Sequence, residues 1–350
     1  MYTKTMMKTV TILIVLFSGV VFADSMPRVF EENSTLNLTL TYDVNGLKKD
    51  KGDDRSYHPA VLSYRTPQGE TVSVDVEIIA RGKLRRQFLG CLVPPIRFKF
   101  DPAKTKGTIF QGQTKIKMVT HCRNSPKFWQ EYYMHEYLIY RIYNLLTDLS
   151  FRVRLVRMEY LDTQKKRKPF EKYGFLIENY KKMVKRNKAK TVKVESITLP
   201  EADYETSALF SVFQYMIGNT DWSIRSGHNT VLVTFPNHFN YFPVPYDFDF
   251  AGIINTHYAV PTPGLPIKSV RERLYRGFCK NEVQFKKTFA IFNEKKTAIY
   301  RLYQEFPLIS SKTKKRALKY LDEFYKIIDN PKLVRRYFIE NYRGRPLPKR

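Results

Sequence analysis

Residues 218–229 read Gly-Asn-Thr-Asp-Trp-Ser-Ile-Arg-Ser-Gly-His-Asn, and residues 244–252 read Val-Pro-Tyr-Asp-Phe-Asp-Phe-Ala-Gly. Immediately upstream, Tyr204 to Gly218 carries Leu209, Val212, Phe213, Met216 and Ile217 at helical spacing. This predicts an amphipathic helix that stops at Gly218. Between the two stretches, Thr230–Thr234 and Asn240–Val244 read as short strands joined by a Pro-Asn turn. A hairpin returns the chain to its start, so Asp221, Asn229, Asp247 and Asp249 can converge at one end. Phosphoryl transfer uses this residue set: one Asp accepts the proton of an incoming hydroxyl, while an Asn and a later Asp hold magnesium. Magnesium prefers hard oxygen ligands. Asp and Asn also cap turns and line solvent loops. Against that, Tyr246-Asp-Phe-Asp-Phe sets two acids among aromatic residues, where unpaired carboxylates are costly. A cation is expected beside them.

The rest of the chain supplies the frame. Leu36–Tyr42, Val61–Tyr64, Thr71–Ala80, Ile96–Phe100 and Lys115–Thr120 predict strands, with the clearest alternation in Val72-Ser-Val-Asp-Val-Glu-Ile and Ile96-Arg-Phe-Lys-Phe. The first third is expected to be mainly antiparallel β. Lys127 to Thr147 lacks Gly and Pro, and Phe128, Tyr132, Tyr133, Glu136, Tyr140, Tyr143 and Leu146 recur mostly at helical steps. One long helix is expected there, with Ser125 as N-cap and Pro126 in its first turn. Val153–Leu161 and Tyr173–Glu178 read as strands, and Lys181–Lys193 as a basic loop or solvated helix face. Phe285–Phe306 and Lys312–Ile328 read as basic amphipathic helices. This order predicts an α+β chain with a small antiparallel β lobe and a larger, mainly helical lobe.

A nucleotide would need a lysine from the β lobe for its phosphates and a helix acid to orient that lysine. Lys117 with Glu136 is the leading pairing, and Lys99 with Glu131 the alternative. Arg81-Gly82-Lys83, with Arg85 and Arg86, reads either as a phosphate-covering turn or as a solvated basic hairpin.

The 350 residues carry 60 Lys plus Arg against 33 Asp plus Glu, a net charge of +27. Such a field favours anionic partners: phosphates, acidic polymers, nucleic acid or a membrane surface. No specific nucleic-acid motif accompanies it. A hydrophobic content of 43% excludes disorder over most of the chain. Lys4 and Lys8, the apolar run Val10–Phe22, and Val21 and Ala23 before Asp24 form the pattern of a signal peptide, with an uncleaved anchor as the other reading. Export is therefore expected, to a periplasmic, cell-surface or secreted location. The three cysteines allow one pair, Cys91–Cys122, with Cys279 spare, or three buried thiols.

Arg81-Gly82 followed by Pro94-Pro95-Ile-Arg-Phe-Lys-Phe, then Lys115-Ile-Lys-Met-Val, Tyr173-Gly-Phe-Leu-Ile-Glu, Asn219-Thr-Asp with Asn229, and Pro245-Tyr-Asp-Phe-Asp occur in this order between residues 70 and 330. Together they resemble the motifs of the spore-coat protein H (CotH) kinase family, an atypical branch of the protein-kinase-like fold. The resemblance implies a two-lobed kinase-like fold and transfer of the ATP γ-phosphate to Ser/Thr hydroxyls of a protein or other extracytoplasmic acceptor. It implies Asp221 as catalytic base, Asn229 and Asp247 as ligands of Mg2+ or Mn2+, and Asp249 as a second metal or structural acid. Lys117, Lys99, Glu136 and Arg81 are the candidates for holding ATP. Taken with the leader pattern and the charge of the C-terminus, the expected organisation is a leader at 1–23, an N-terminal extension with short strands at 24–65, a β-rich N-lobe with one long helix at 66–180, a helical C-lobe with both motifs at 181–342, and a basic tail at 343–350. Tyr246 stands where the family has Trp, and Lys83 and Leu84 where it has small polar residues. The alternative is therefore a catalytically inactive, strongly basic envelope protein of pseudokinase fold that binds anionic polymers. A third reading is a metal-dependent phosphodiesterase or nuclease using Asp247 and Asp249 with two ions, without the His-rich ligand set such enzymes often carry.

Overall fold

The computed structural model describes residues 28–123, 125, 127–192, 194, 196–278 and 281–340. The expected leader at 1–23, Pro126, Cys279 and the tail at 343–350 lie outside these residues. In chain order the first half comprises β1 (Leu36–Tyr42), α1 (Val44–Lys49), β2 (His58–Arg65), β3 (Thr71–Ala80), β4 (Ile96–Phe100), β5 (Lys115–Val119), α2 (Phe128–Leu146), β6 (Val153–Asp162) and β7 (Phe170–Ile177).

The strands close into a barrel in the order β1-β2-β3-β4-β5-β7-β6. Alternation decides what fills it: Leu38, Leu40, Val74, Val76, Phe98, Ile116, Met118 and Val156 are buried in one cluster inside. Their sequence neighbours point outward, as the two-residue period of a strand requires. The expected small antiparallel β lobe is therefore a closed barrel. β1 runs parallel to β6, with Leu36 opposite Val156, and seals it. β1 and β2, in the segment read as an N-terminal extension, are full barrel strands. Periodicity marks a segment as a strand but says nothing about a partner far away in sequence, so closure was invisible beforehand.

The second half comprises α3 (Tyr180–Arg186), β8 (Lys190–Thr191), α4 (Tyr204–Ile217), β9 (Thr230–Thr234), β10 (Phe242–Pro245), α5 (Glu282–Glu305) and α6 (Ser311–Ile328). β8, β9 and β10 form a small sheet beside the helices. A second buried cluster joins α2 to this half through Ile139, Tyr143, Phe213, Phe248, Phe292 and Phe324. The chain is thus a mixed α+β protein. Among the described residues, no helix is long and apolar enough to cross a membrane.

α4 obeys its local signals: Asp203 accepts from Thr206 N at the start, and Gly218, at φ 68°, ends it in the left-handed region. α2 does not begin as expected. Lys127, already helical at φ −56° and ψ −26°, holds the cap position without a side-chain capping bond, so Ser125 is not the cap. Of the two cysteine readings, the Cys91–Cys122 disulfide is the one found, with Cα atoms 4.4 Å apart.

Candidate active site

The acids are gathered by backbone. Gly252 N donates to Gly218 O and Ile253 N to Ile217 O, both at 3.0 Å, while Tyr246 N donates to Asn229 O at 3.1 Å. The end of α4, the start of β9 and the segment after β10 are thereby sewn together. Glycine is required at this seam: a Cβ would meet Tyr320 Oη at 2.0 Å from Gly218 and Val270 O at 2.2 Å from Gly252. Asn229 and Asp247 both sit in the left-handed region, at φ 49° and 63°. That conformation costs an L-residue on the order of 1 kcal/mol, and Asn and Asp tolerate it best.

Asp221 is held from several sides. Its backbone N donates to Asn219 Oδ1 at 3.0 Å, its carboxylate accepts from Asn229 Nδ2 at 3.0 Å, and His228 Nε2 lies 2.8 Å from Oδ1. Among the scattered histidines, the place of His228 beside Asn229 in the sequence allows it to touch the site, with a packed or solvated ring as the other reading; it reaches this carboxylate. Asp247 N donates to Tyr140 Oη at 3.0 Å. On α2, Tyr133, Glu136 and Tyr140 follow i, i+3, i+7 spacing and share one face. All three are buried.

The opposite wall is the barrel. On β5, Ile116 and Met118 fill the interior, so Lys117 faces out; Arg97 on β4 lies opposite it in register. Arg81, Lys117, Glu136, Asp221, Asn229, Asp247 and Asp249 line one cavity of about 480 Å³. That volume lies within the roughly 300–1,000 Å³ of small-molecule sites.

Lys99 is not part of it. It lies two residue pairs further along the ladder, opposite Lys115, and is exposed in a 2.6 Å ion pair with Glu77. Glu131 is also excluded: it accepts from Ser310 N and Thr313 Oγ1 at the start of α6. Lys117 lines the cavity, yet the expected Lys117–Glu136 ion pair is not formed. Glu136 instead bonds Arg85 Nη2 at 3.1 Å, and the same nitrogen reaches Asp249 Oδ2 at 3.0 Å. Arg85 comes from a single π-type turn, Leu84–Phe88, in which it is buried. Of the two readings of this basic run, the solvated hairpin is therefore excluded for Arg85.

Burial sets the electrostatics here. It pushes the Lys117 ammonium down to about 8, with Arg81 and Arg97 acting in the same sense and Asp247 opposing. Burial likewise pulls Arg81 below the ordinary guanidinium value, and Arg85 adds to this against the field of Asp247. Glu136 and Asp249 are pushed upward by burial; Arg85 opposes this in both, and Asp247 adds to it.

The fit of a nucleotide with a divalent cation follows from what is left unanswered. Among the described residues, neither Arg81 nor Lys117 has a carboxylate ion pair, and the Asp247 carboxylate accepts no hydrogen bond. Asn229 spends its amide nitrogen on Asp221, which leaves its oxygen for a cation. No group of three His, Cys, Asp or Glu side chains among the described residues would hold a metal alone. An ion there would need phosphate oxygens to complete its shell.

No family model and no curated protein matches the chain. Among solved structures, the crystal structure of a Helicobacter pylori proinflammatory kinase, CtkA, is similar at 10% sequence identity with a TM-score of 0.37. The match covers 67% of this chain and 91% of that one.

Proposed function

We propose that the protein is an ATP-dependent phosphotransferase of the CotH kinase type. One observation carries the reading: among the described residues, two cations without an ion-paired acid (Arg81, Lys117) and a carboxylate without a donor (Asp247) line one cavity. A polyphosphate with its divalent cation satisfies both walls at once, because the phosphates answer the barrel and the metal answers the carboxylates. Lys117 and Arg81 bind and orient the phosphates. Asp247, Asn229 and the free oxygen of Asp249 hold Mg2+ or Mn2+, which when bound neutralises phosphate charge.

In the transfer, the acceptor oxygen bonds to the γ-phosphorus as the bond to the β–γ bridging oxygen breaks and ADP leaves. The hydroxyl proton passes to Asp221, whose carboxylate Asn229 and His228 keep in one orientation. The acceptor class we propose is a Ser/Thr hydroxyl of a protein or another molecule outside the cytoplasm. The disulfide supports this setting, since such bonds persist in oxidising compartments.

The test is phosphoryl transfer from γ-labelled ATP by purified protein with Mg2+ or Mn2+, alongside D221A and D247N. Transfer that both variants abolish supports the assignment; transfer at the wild-type rate in both sinks it. A second reading, a non-catalytic binder of anionic polymers, draws on α6. There Lys312, Lys315, Arg316 and Lys319 form an exposed stripe at helical spacing. It predicts polyanion binding that falls steeply with salt and no thermal shift with nucleotide.

A further inference from the structure

In phosphotransfer sites built like this one, the acid on the helix beside the barrel is expected to orient the phosphate-binding lysine. Here it does not, because Arg85 has taken the acid. One guanidinium nitrogen, Nη2, reaches Glu136 Oε2 and Asp249 Oδ2 at 3.1 and 3.0 Å, and the three side chains are 8%, 2% and 16% exposed. The guanidinium also lies 4.8 Å from the centre of the Tyr133 ring. Tyr258 Oη donates to the same Asp249 Oδ2 at 3.2 Å. That oxygen already has two donors, so the Asp249 carboxylate is oriented and only Oδ1 remains to meet a cation.

We propose that Arg85 is a positioning residue for the metal. It fastens the Leu84–Phe88 turn to α2 and to the Asp247–Asp249 segment, sets the orientation of Asp249, and releases Lys117 to the phosphates. This inference rests on the phosphotransfer reading. Three observations carry it. First, Nη2 of Arg85 bonds two acids that stand on different elements, Glu136 on α2 and Asp249 after β10, and so ties both to one turn. Second, Arg85 is the only cation ion-paired to Glu136, Asp247 or Asp249 among the described residues. Third, the planar guanidinium lies against the Tyr133 ring at 4.8 Å, which fixes where Nη2 stands between the two acids; a compact lysine ammonium on a flexible stem is held less well there. Groups that orient a metal-binding carboxylate from behind typically change metal affinity by about 10–100-fold.

The experiment measures nucleotide affinity by calorimetry with and without Mn2+, in wild type, R85K, R85M and the double variant R85M/E136Q. The quantity read is the factor by which Mn2+ tightens ATP binding. R85M leaves two buried acids unanswered and should lower the melting temperature. Removing Glu136 as well takes away much of that uncompensated charge, so the double variant should recover stability. The inference expects Mn2+ tightening to fall by about tenfold or more in R85M and in the recovered double variant, with R85K between them and wild type. A double variant that regains both stability and full Mn2+ tightening would make Arg85 merely structural and overturn the inference. If the double variant fails to fold, R85K decides: unchanged tightening overturns the inference and a reduced factor supports it. If wild type does not bind ATP at all, the phosphotransfer reading fails, and this inference with it. Wild-type tightening that persists in every variant removes only the role of Arg85.

Discussion

The two ends of one barrel wall answer their charges differently. At the far end, Lys99 pairs with Glu77 at 2.6 Å and Lys104 with Asp75 at 2.9 Å, and all four side chains are exposed. At the cavity end, Arg81, Arg97 and Lys117 have no carboxylate ion pair among the described residues, and the acids stand opposite on other elements. Exposed pairs are worth roughly 0–1 kcal/mol, since water already screens both charges. Charges that line a cavity without forming an ion pair are another matter: burial removes them from much of the water, and a ligand of matching charge gains more by meeting them. The contrast teaches that position along a ladder, rather than residue type, separates a surface lysine from a ligand-binding one.

The comparison can be broken most severely at the acids. D221A is expected to lower kcat/KM for transfer by about 10²–10⁴, the span of a lost general base, and D247N to lower it by weakening the hold on the metal, while E77Q at the far end leaves it unchanged. Equal effects of D221A and E77Q would erase the distinction between the two ends. Next comes the clasp that shapes the cavity end. Cys91–Cys122 ties the segment after the Leu84–Phe88 turn to the end of β5, where Leu92 N donates to Cys122 O at 2.7 Å. Replacing both cysteines by serine should cost about 4 kcal/mol of unfolding free energy on the loop-entropy account, read from denaturant midpoints.

A smaller effect is expected from the cations. K117M should weaken ATP binding by about tenfold or more, the worth of a charged hydrogen bond, whereas K99M should leave the affinity unchanged. The subtlest contrast is with pH. Lys117 loses its proton near 8 in the folded protein, so ATP affinity should fall as pH rises through that value, and K117M should flatten the curve. Folding moves the other way. The unfolded lysine holds its proton to about 10.4, so between these two values the unfolded chain binds more protons and stability rises with pH. Unfolding midpoints measured across that window in wild type and K117M check the sign.

Much of this was legible beforehand. Thr71–Ala80 and Ile96–Phe100 are strands over the residues that alternation marked, and the helix ending at Gly218 follows from its apolar stripe and stop. The gathering of Asp221, Asn229, Asp247 and Asp249 at one cavity follows from the helix-turn-hairpin order. The pairing of cations with acids was not legible. Lys117 and Lys99 share a face by parity, and only distance along the ladder separates them. Arg85 could not be told from its basic neighbours, because its burial within the Leu84–Phe88 turn depends on Glu136 and Tyr133 of α2 standing against it. Its place beside Asn229 allowed His228 to touch the site, but the contact with Asp221 depends on the antiparallel bridge between Ser223 and His228, which that adjacency does not fix.

By itself, the sequence determined the elements and the order in which acids and bases follow one another, because strand and helix periods and glycine stops act over a few residues. Only the tertiary structure decided that β1 closes the barrel against β6, that of two lysines on the same outer face Lys117 lines the cavity and Lys99 does not, and that Arg85 rather than Lys117 binds Glu136. These outcomes depend on strand register and on contacts between segments far apart in the chain, and a local pattern of residues encodes neither.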